Sequence, residues 1–137
     1  MPDTPFFTQK LPLQITVAVL ALIPLTAGAM GVVLGPDWLG IDPPWPPSLD
    51  SHFRFLSGIF LAIGLTFYSA IPDIERRTGR VRLAAALIVC GGLARLYSLA
   101  VAGMPTKGHF FGLVMELVVL PLLVLWQSNV AAAYREA

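Results

Sequence analysis

The stretch "LAAALIVCGGLARLYSLAVAGMPTKGHFFGLVMELVVLPLLVLWQ", residues 83–127, decides the fold. It holds two long apolar runs, about 83–102 and about 109–127, on either side of the connection "GMPTKG". A helix needs ~20 mostly apolar residues to cross ~30 Å of hydrocarbon, and each run meets that length. The glycines and the proline of the connection stop one helix and let the next return beside it, so the stretch predicts an antiparallel hairpin. One base, Arg95, stands in the first run, and one acid, Glu116, stands in the second. Both lie equally far from the centre of the connection, between Pro105 and Thr106. At 1.5 Å of rise per residue that depth is about 10 Å inside the boundary. An unpaired arginine at mid-membrane costs about 2.5–3.5 kcal/mol on insertion scales. The hairpin therefore predicts that Glu116 answers Arg95.

Two further runs lie upstream. Residues of about 13–34 carry no charge, and about 53–71 form a second apolar run. Apolar residues make up 56% of the 137-residue chain and charged residues 12%, against about 45–50% and about 25% in soluble domains. A mean hydropathy of +0.75 agrees. The expected fold is all-α, a single membrane domain over residues 1–137 built as a four-transmembrane-helix bundle. "LTAGAM" sets Ala27 and Ala29 in a pattern resembling a signal-peptidase site, which leaves cleavage open. The apolar run, however, starts near Leu11 and continues past that point through "GVVL", longer than a usual signal core. The favoured reading is a retained span.

Arg76, Arg77, Arg80 and Arg82 crowd the segment 72–82, Lys10 precedes the first span and Arg135 comes after the fourth. The opposite connections hold only Lys107. The positive-inside rule then puts both termini and the arginine-rich loop in the cytoplasm. Topology alone explains these arginines, and binding of anionic headgroups is the functional alternative. The outer loop, residues 35–50, contains Pro36, Pro43, Pro44, Pro46 and Pro47, which forbid a continued helix. Trp38, Trp45 and Trp126 suit the headgroup zone. Ser48 or Asp50 is expected to cap the second helix. Pro24 and Pro121 are expected to kink spans one and four.

Asp50 stands one turn before Arg54, on the same helix face. With His52 and His109 at the mouths of spans two and four, the outer half gathers Asp50, His52, Arg54, Arg95, Ser98, His109 and Glu116 as candidate ligand-binding residues. Helical spacing suggests inward stripes of Gln14, Ala21, Gly28, Gly31 and Gly35 in span one and Arg54, Gly58, Leu61, Leu65 and Tyr68 in span two. Span three offers Ala84, Gly91, Arg95, Ser98 and Ala102; span four offers His109, Gly112, Glu116 and Gln127. Small residues on facing stripes either let membrane helices approach closely or leave room for a ligand. A purely structural ion pair that fixes helix register is the plain alternative to a binding site.

Other chemistry finds little support. Two histidines without ligand-type spacing make a poor metal site, and Ser57, Ser69 and Ser98 have no recognisable triad base. No phosphate loop or dinucleotide fingerprint occurs. Cys90 is the single cysteine, read as an apolar packing residue. No catalytic residue, cofactor or metal is assigned. The expected partners are membrane lipids, a lipid-like ligand, and a membrane-protein partner or a second copy of the chain; a net charge of +1 gives no reason to expect nucleic acid.

"LDSHFRFLSGIFLAIGL", "GGLARLYSL" and "ELVVLPLLVLWQ", in that order, resemble the bacterial integral-membrane family catalogued as domain of unknown function 4345. The resemblance spans about residues 13–127. It implies four transmembrane helices and a bacterial inner-membrane location, and puts Arg54, Arg95, Glu116, Gly58, Gly91 and Gly92 on the family's polar and glycine positions. It brings no activity. Three functions are then expected. The first is a non-enzymatic membrane protein binding a lipid-like or amphipathic ligand in an outer polar cavity. The alternatives are an accessory subunit of a larger membrane complex and an enzyme acting on a membrane-soluble substrate, with Glu116 or His52 as acid or base.

Overall fold

The computed structural model describes residues 5–136, which form helices and connections with no strand among them. Among the described residues, four helical runs are long and apolar enough to cross a membrane: Lys10–Leu39, Pro47–Ala70, Thr78–Ala102 and Lys107–Glu136. Large apolar side chains stay exposed along all four, among them Val19, Val33, Phe55, Leu65, Leu83, Leu93, Leu122 and Leu125. Apolar exteriors of this kind suit lipid as solvent, and the chain is a multi-pass membrane protein in that sense.

The first run comprises α1 (Lys10–Leu20), α2 (Leu22–Leu34) and a 3-10 segment, Gly35–Leu39. The break at Ala21 comes just before Pro24, whose ring crowds the carbonyl of Leu20 and which has no N–H to offer it. Gly35, at φ 63°, ends α2 in a conformation that costs other residues more. The second run is α3 (Pro47–Ala70), with proline at its first position, where a missing N–H is harmless. Pro47 thus belongs to the helix rather than the loop. The expected cap fails: no side chain caps α3, and Ser48 and Asp50 lie inside its first turn.

The third run is α4 (Thr78–Ala102), so Arg80 and Arg82 stand on helix rather than on a loop. Gly103, at φ 90°, ends it. The fourth comprises α5 (Lys107–Val114), a π turn over Met115–Val119, and α6 (Leu120–Glu136). In the π turn the Leu120 N–H donates to the Met115 carbonyl, five residues back. Pro121 explains the widening, because it cannot donate to Leu117 and its ring needs room there. The kink expected at Pro121 therefore takes the form of one wide turn just before it.

The chain divides into two compact units, one of Ile15–Ile71 and one joining the residues up to Gln14 to those from Pro72 onward. In the first, α2 and α3 cross very closely. A Cβ on Gly28 would lie 2.5 Å from the Leu61 backbone N, and one on Gly64 would lie 3.0 Å from that of Leu25. Gly31 makes the same kind of approach to the Ser57 hydroxyl. The packed face of α3 thus runs through Ser57, Leu61, Gly64 and Tyr68, whose hydroxyl donates to the Ala18 carbonyl at 2.9 Å. Leu65, expected on that stripe, points outward.

In the second unit, Gly92 rather than Gly91 is the close contact. Its Cβ position lies 2.9 Å from the Cβ of Glu116 and the Cδ2 of Leu117, whereas Gly91 faces open space. Val81, Ala84 and Ala85 continue the buried face of α4. Phe6 and Phe7 pack on the Trp126 indole with ring centroids 5.6 Å away. Trp126, expected in the headgroup zone, is thus held in an intramolecular aromatic clasp.

Candidate functional site

Glu116 rides on the π turn and Arg95 on α4. Arg95 Nε donates to Glu116 Oε2 and Nη2 to Oε1, each at 3.1 Å, a parallel two-bond match of fork to fork. The carboxylate is nearly buried, its side chain 11% exposed, while the Arg95 side chain is 34% exposed. Two glycines make this possible. Gly92, one turn before Arg95, brings the backbones together, and a Cβ on Gly112 would stand 3.8 Å from Glu116 Oε1 and 4.0 Å from Arg95 Cζ. Nη1 makes no hydrogen bond among the described residues.

The second pair belongs to the other unit. Arg54 Nε donates to both Asp50 oxygens at 3.0 Å, one turn apart on α3. Its Nη1 donates to the carbonyls of Val32 and Val33, the second at 3.0 Å. Those carbonyls sit in the last turn of α2, where helical partners run out. Arg54 therefore closes the end of α2 while Asp50 balances its charge. That use binds most of the donors of Arg54, which the sequence offered as a candidate ligand-binding residue.

The remaining candidates are peripheral to these pairs. His52 and Ser98 are exposed. His109 is half-buried, its Nδ1 2.7 Å from the Thr106 hydroxyl just ahead of α5. No group of three or more His, Cys, Asp or Glu residues capable of holding a metal occurs among the described residues.

Sequence reasoning put Gln127 on an inward stripe but missed the polar knot it ties in the second unit. Gln127 is fully buried and its amide donates to the Ile74 carbonyl at 2.8 Å and the Thr78 hydroxyl at 2.9 Å. Glu75, for which the sequence suggested no role, has a side chain only 8% exposed and pairs with Lys10 Nζ at 2.9 Å. The available signal was Gln127 itself, a polar residue closing an apolar run.

The sequence profile of the family described as Domain of unknown function (DUF4345) matches residues 12–127. The chain belongs to this family. The DUF4345 region contains both ion pairs and ends on Gln127. No curated protein and no solved structure matches the chain significantly.

Proposed function

We propose that this DUF4345 chain is a small protein of the bacterial inner membrane, with its termini and the segment 72–82 cytoplasmic, that binds the polar head of a lipid-like or amphipathic ligand at Arg95. The positive-inside asymmetry supports that orientation. The observation that carries the binding reading is the half-used guanidinium: Glu116 takes Nε and Nη2, while Nη1 makes no hydrogen bond to the described residues on a side chain a third exposed. Open space beside Gly91 leaves room for a chain to lie against the same helix.

The chemistry favours an acceptor without net charge. The Arg95–Glu116 pair is neutral as a unit, and an anionic head would compete with Glu116 for the same fork. An ester, amide or hydroxyl oxygen needs only one of the three N–H groups that Glu116 leaves. Both carboxylate oxygens of Glu116 are held by guanidinium N–H groups, which argues against Glu116 as an enzymatic acid or base.

The test is native mass spectrometry of gently extracted protein, with Arg95→Lys as the comparison. Lysine keeps the charge and loses the fork. A lipid-sized adduct on the wild type that is lost in a folded R95K protein is the expected result. A wild type without an adduct overturns the reading, and a stoichiometric protein partner in its place would favour the accessory-subunit alternative.

A further inference from the structure

Ser98 departs from a pattern that other hydroxyl side chains of the spans keep. Thr26, Ser57, Thr66 and Ser128 each donate to the carbonyl four residues back, at 2.7–2.9 Å, which satisfies a hydroxyl where water is absent. The Ser98 hydroxyl makes no such bond, nor any other among the described residues, and Ser98 is exposed. It stands one turn after Arg95 on α4, a spacing that makes the two side chains neighbours. The guanidinium lies on the Ser98 side of the Arg95 backbone. In the antiparallel hairpin Gly92 meets Glu116, so Gly112, one turn nearer the connection, comes level with Leu96, and its Cβ position is 4.0 Å from Arg95 Cζ.

Two polar groups with unused capacity thus stand side by side, and their chemistry differs. Arg95 can only donate, so its partner is an acceptor, whereas the Ser98 hydroxyl both donates and accepts and is matched by another hydroxyl. Ser98 is three residues nearer the connection, ~4.5 Å shallower than Arg95. Both still lie inside the apolar run, where a phosphate would carry its charge into hydrocarbon at a high cost. We infer that Arg95 and Ser98 together hold a neutral glycerolipid with one free hydroxyl, of the diacylglycerol type. An ester carbonyl accepts from Arg95, and the hydroxyl on the neighbouring carbon bonds the Ser98 hydroxyl. This inference rests on the Arg95 reading and adds Ser98 as the residue that selects among neutral heads.

The test uses full-length protein in phosphatidylethanolamine nanodiscs doped with equal amounts of two lipids, dioleoylglycerol and the dioleoyl ester of vicinal propanediol, which lacks only the hydroxyl. Native mass spectrometry counts what is retained. One neutral hydrogen bond corresponds to about two- to tenfold in affinity. The wild type is expected to retain the glycerol ester over the propanediol ester by a factor in that range. Ser98→Ala, at an exposed helix position that alanine suits, should hold the two equally. A folded Arg95→Lys protein should lose both. Equal retention of the two by the wild type, or a preference that survives Ser98→Ala, overturns the role of Ser98; an adduct lost in the lysine variant would still support Arg95. Retention of neither, with phosphatidylethanolamine held in their place by Arg95, overturns the glycerolipid assignment alone. No retained lipid of any kind overturns both readings.

Discussion

Glu116 presents one carboxylate oxygen to Nε of Arg95 and the other to Nη2, both at 3.1 Å, across a helix hairpin. Removing either partner strands the other. Breaking a buried pair costs about 3–5 kcal/mol, and the partial exposure of Arg95 lowers the expectation to roughly 2–3 kcal/mol. Glu116→Leu and Arg95→Met should each lose about that much in reversible unfolding from detergent micelles. The double variant, with no stranded charge, should be more stable than either single one. A coupling free energy near zero would show that the two groups do not depend on each other.

Glycine at 28 and glycine at 91 should respond in opposite directions. The Cβ of Gly28→Ala would meet the Leu61 backbone at 2.5–2.8 Å, where no side-chain rotation relieves the clash. Overpacking of this kind costs about 1–3 kcal/mol. Gly91→Ala meets nothing within 4 Å and should gain about 0.5–1 kcal/mol through helix propensity. Thermal unfolding of the two variants side by side checks both signs, and equal loss in both would refute the close crossing at Gly28.

These contrasts mark what a linear reading reaches. Arg95 and Glu116 could be paired from the sequence because each is the sole charge within its apolar run and the hairpin fixes their depth. Asp50 and Arg54 could be paired because a helix turn separates them. The carbonyls of Val32 and Val33 could not be foreseen as partners, since every residue carries a carbonyl and only the position of the helix end makes these two available. Glu75 was hidden for a related reason: nothing beside it in the sequence marks it for burial, which depends on Lys10 arriving from far along the chain. The stripe errors at Leu65 and Gly91 are one-residue rotations, because apolar helices destined for lipid lack the polar face that would fix their orientation.

Arg54 should act as a structural clamp. Arg54→Met frees the Val32 and Val33 carbonyls and leaves Asp50 unpaired, and hydrogen bonds to charged groups contribute about 1.5–3 kcal/mol each. Arg54→Lys keeps the charge but cannot reach a carboxylate and two carbonyls together. The expected order of stability is wild type, then lysine, then methionine, measured by chemical unfolding. If methionine matched the wild type, the contacts at the end of α2 would carry no weight.

Gln127 braces the segment around Thr78. Gln127→Ala leaves the buried Ile74 carbonyl without its donor, a loss of about 1–3 kcal/mol. Gln127→Leu should lose less, because it fills the space and also removes an amide oxygen that has no donor. Hydrogen exchange localises the effect: amides around residues 74–81 should exchange faster in the alanine variant. Uniform protection across that segment would sink the brace.

The wide turn before Pro121 is what aims Glu116. Proline at 121 cannot donate to the Leu117 carbonyl, and the chain answers with the five-residue bond from Leu120 to Met115. Pro121→Ala restores an N–H donor and lets the turn close to ordinary α geometry. Losing one residue of widening rotates α6 relative to α5 by about one helical step, ~100°, and Glu116 stands within the turn that is rewound. Two effects then oppose each other. The helix gains as much as about 3 kcal/mol from losing an interior proline, while the fork to Arg95 is pulled out of line. Overall stability is therefore a poor readout, and the coupling energy between positions 95 and 116 is the informative one. In the P121A background the double-mutant cycle should fall well below its wild-type value. Unchanged coupling would mean that the ion pair does not need the π turn to hold its geometry.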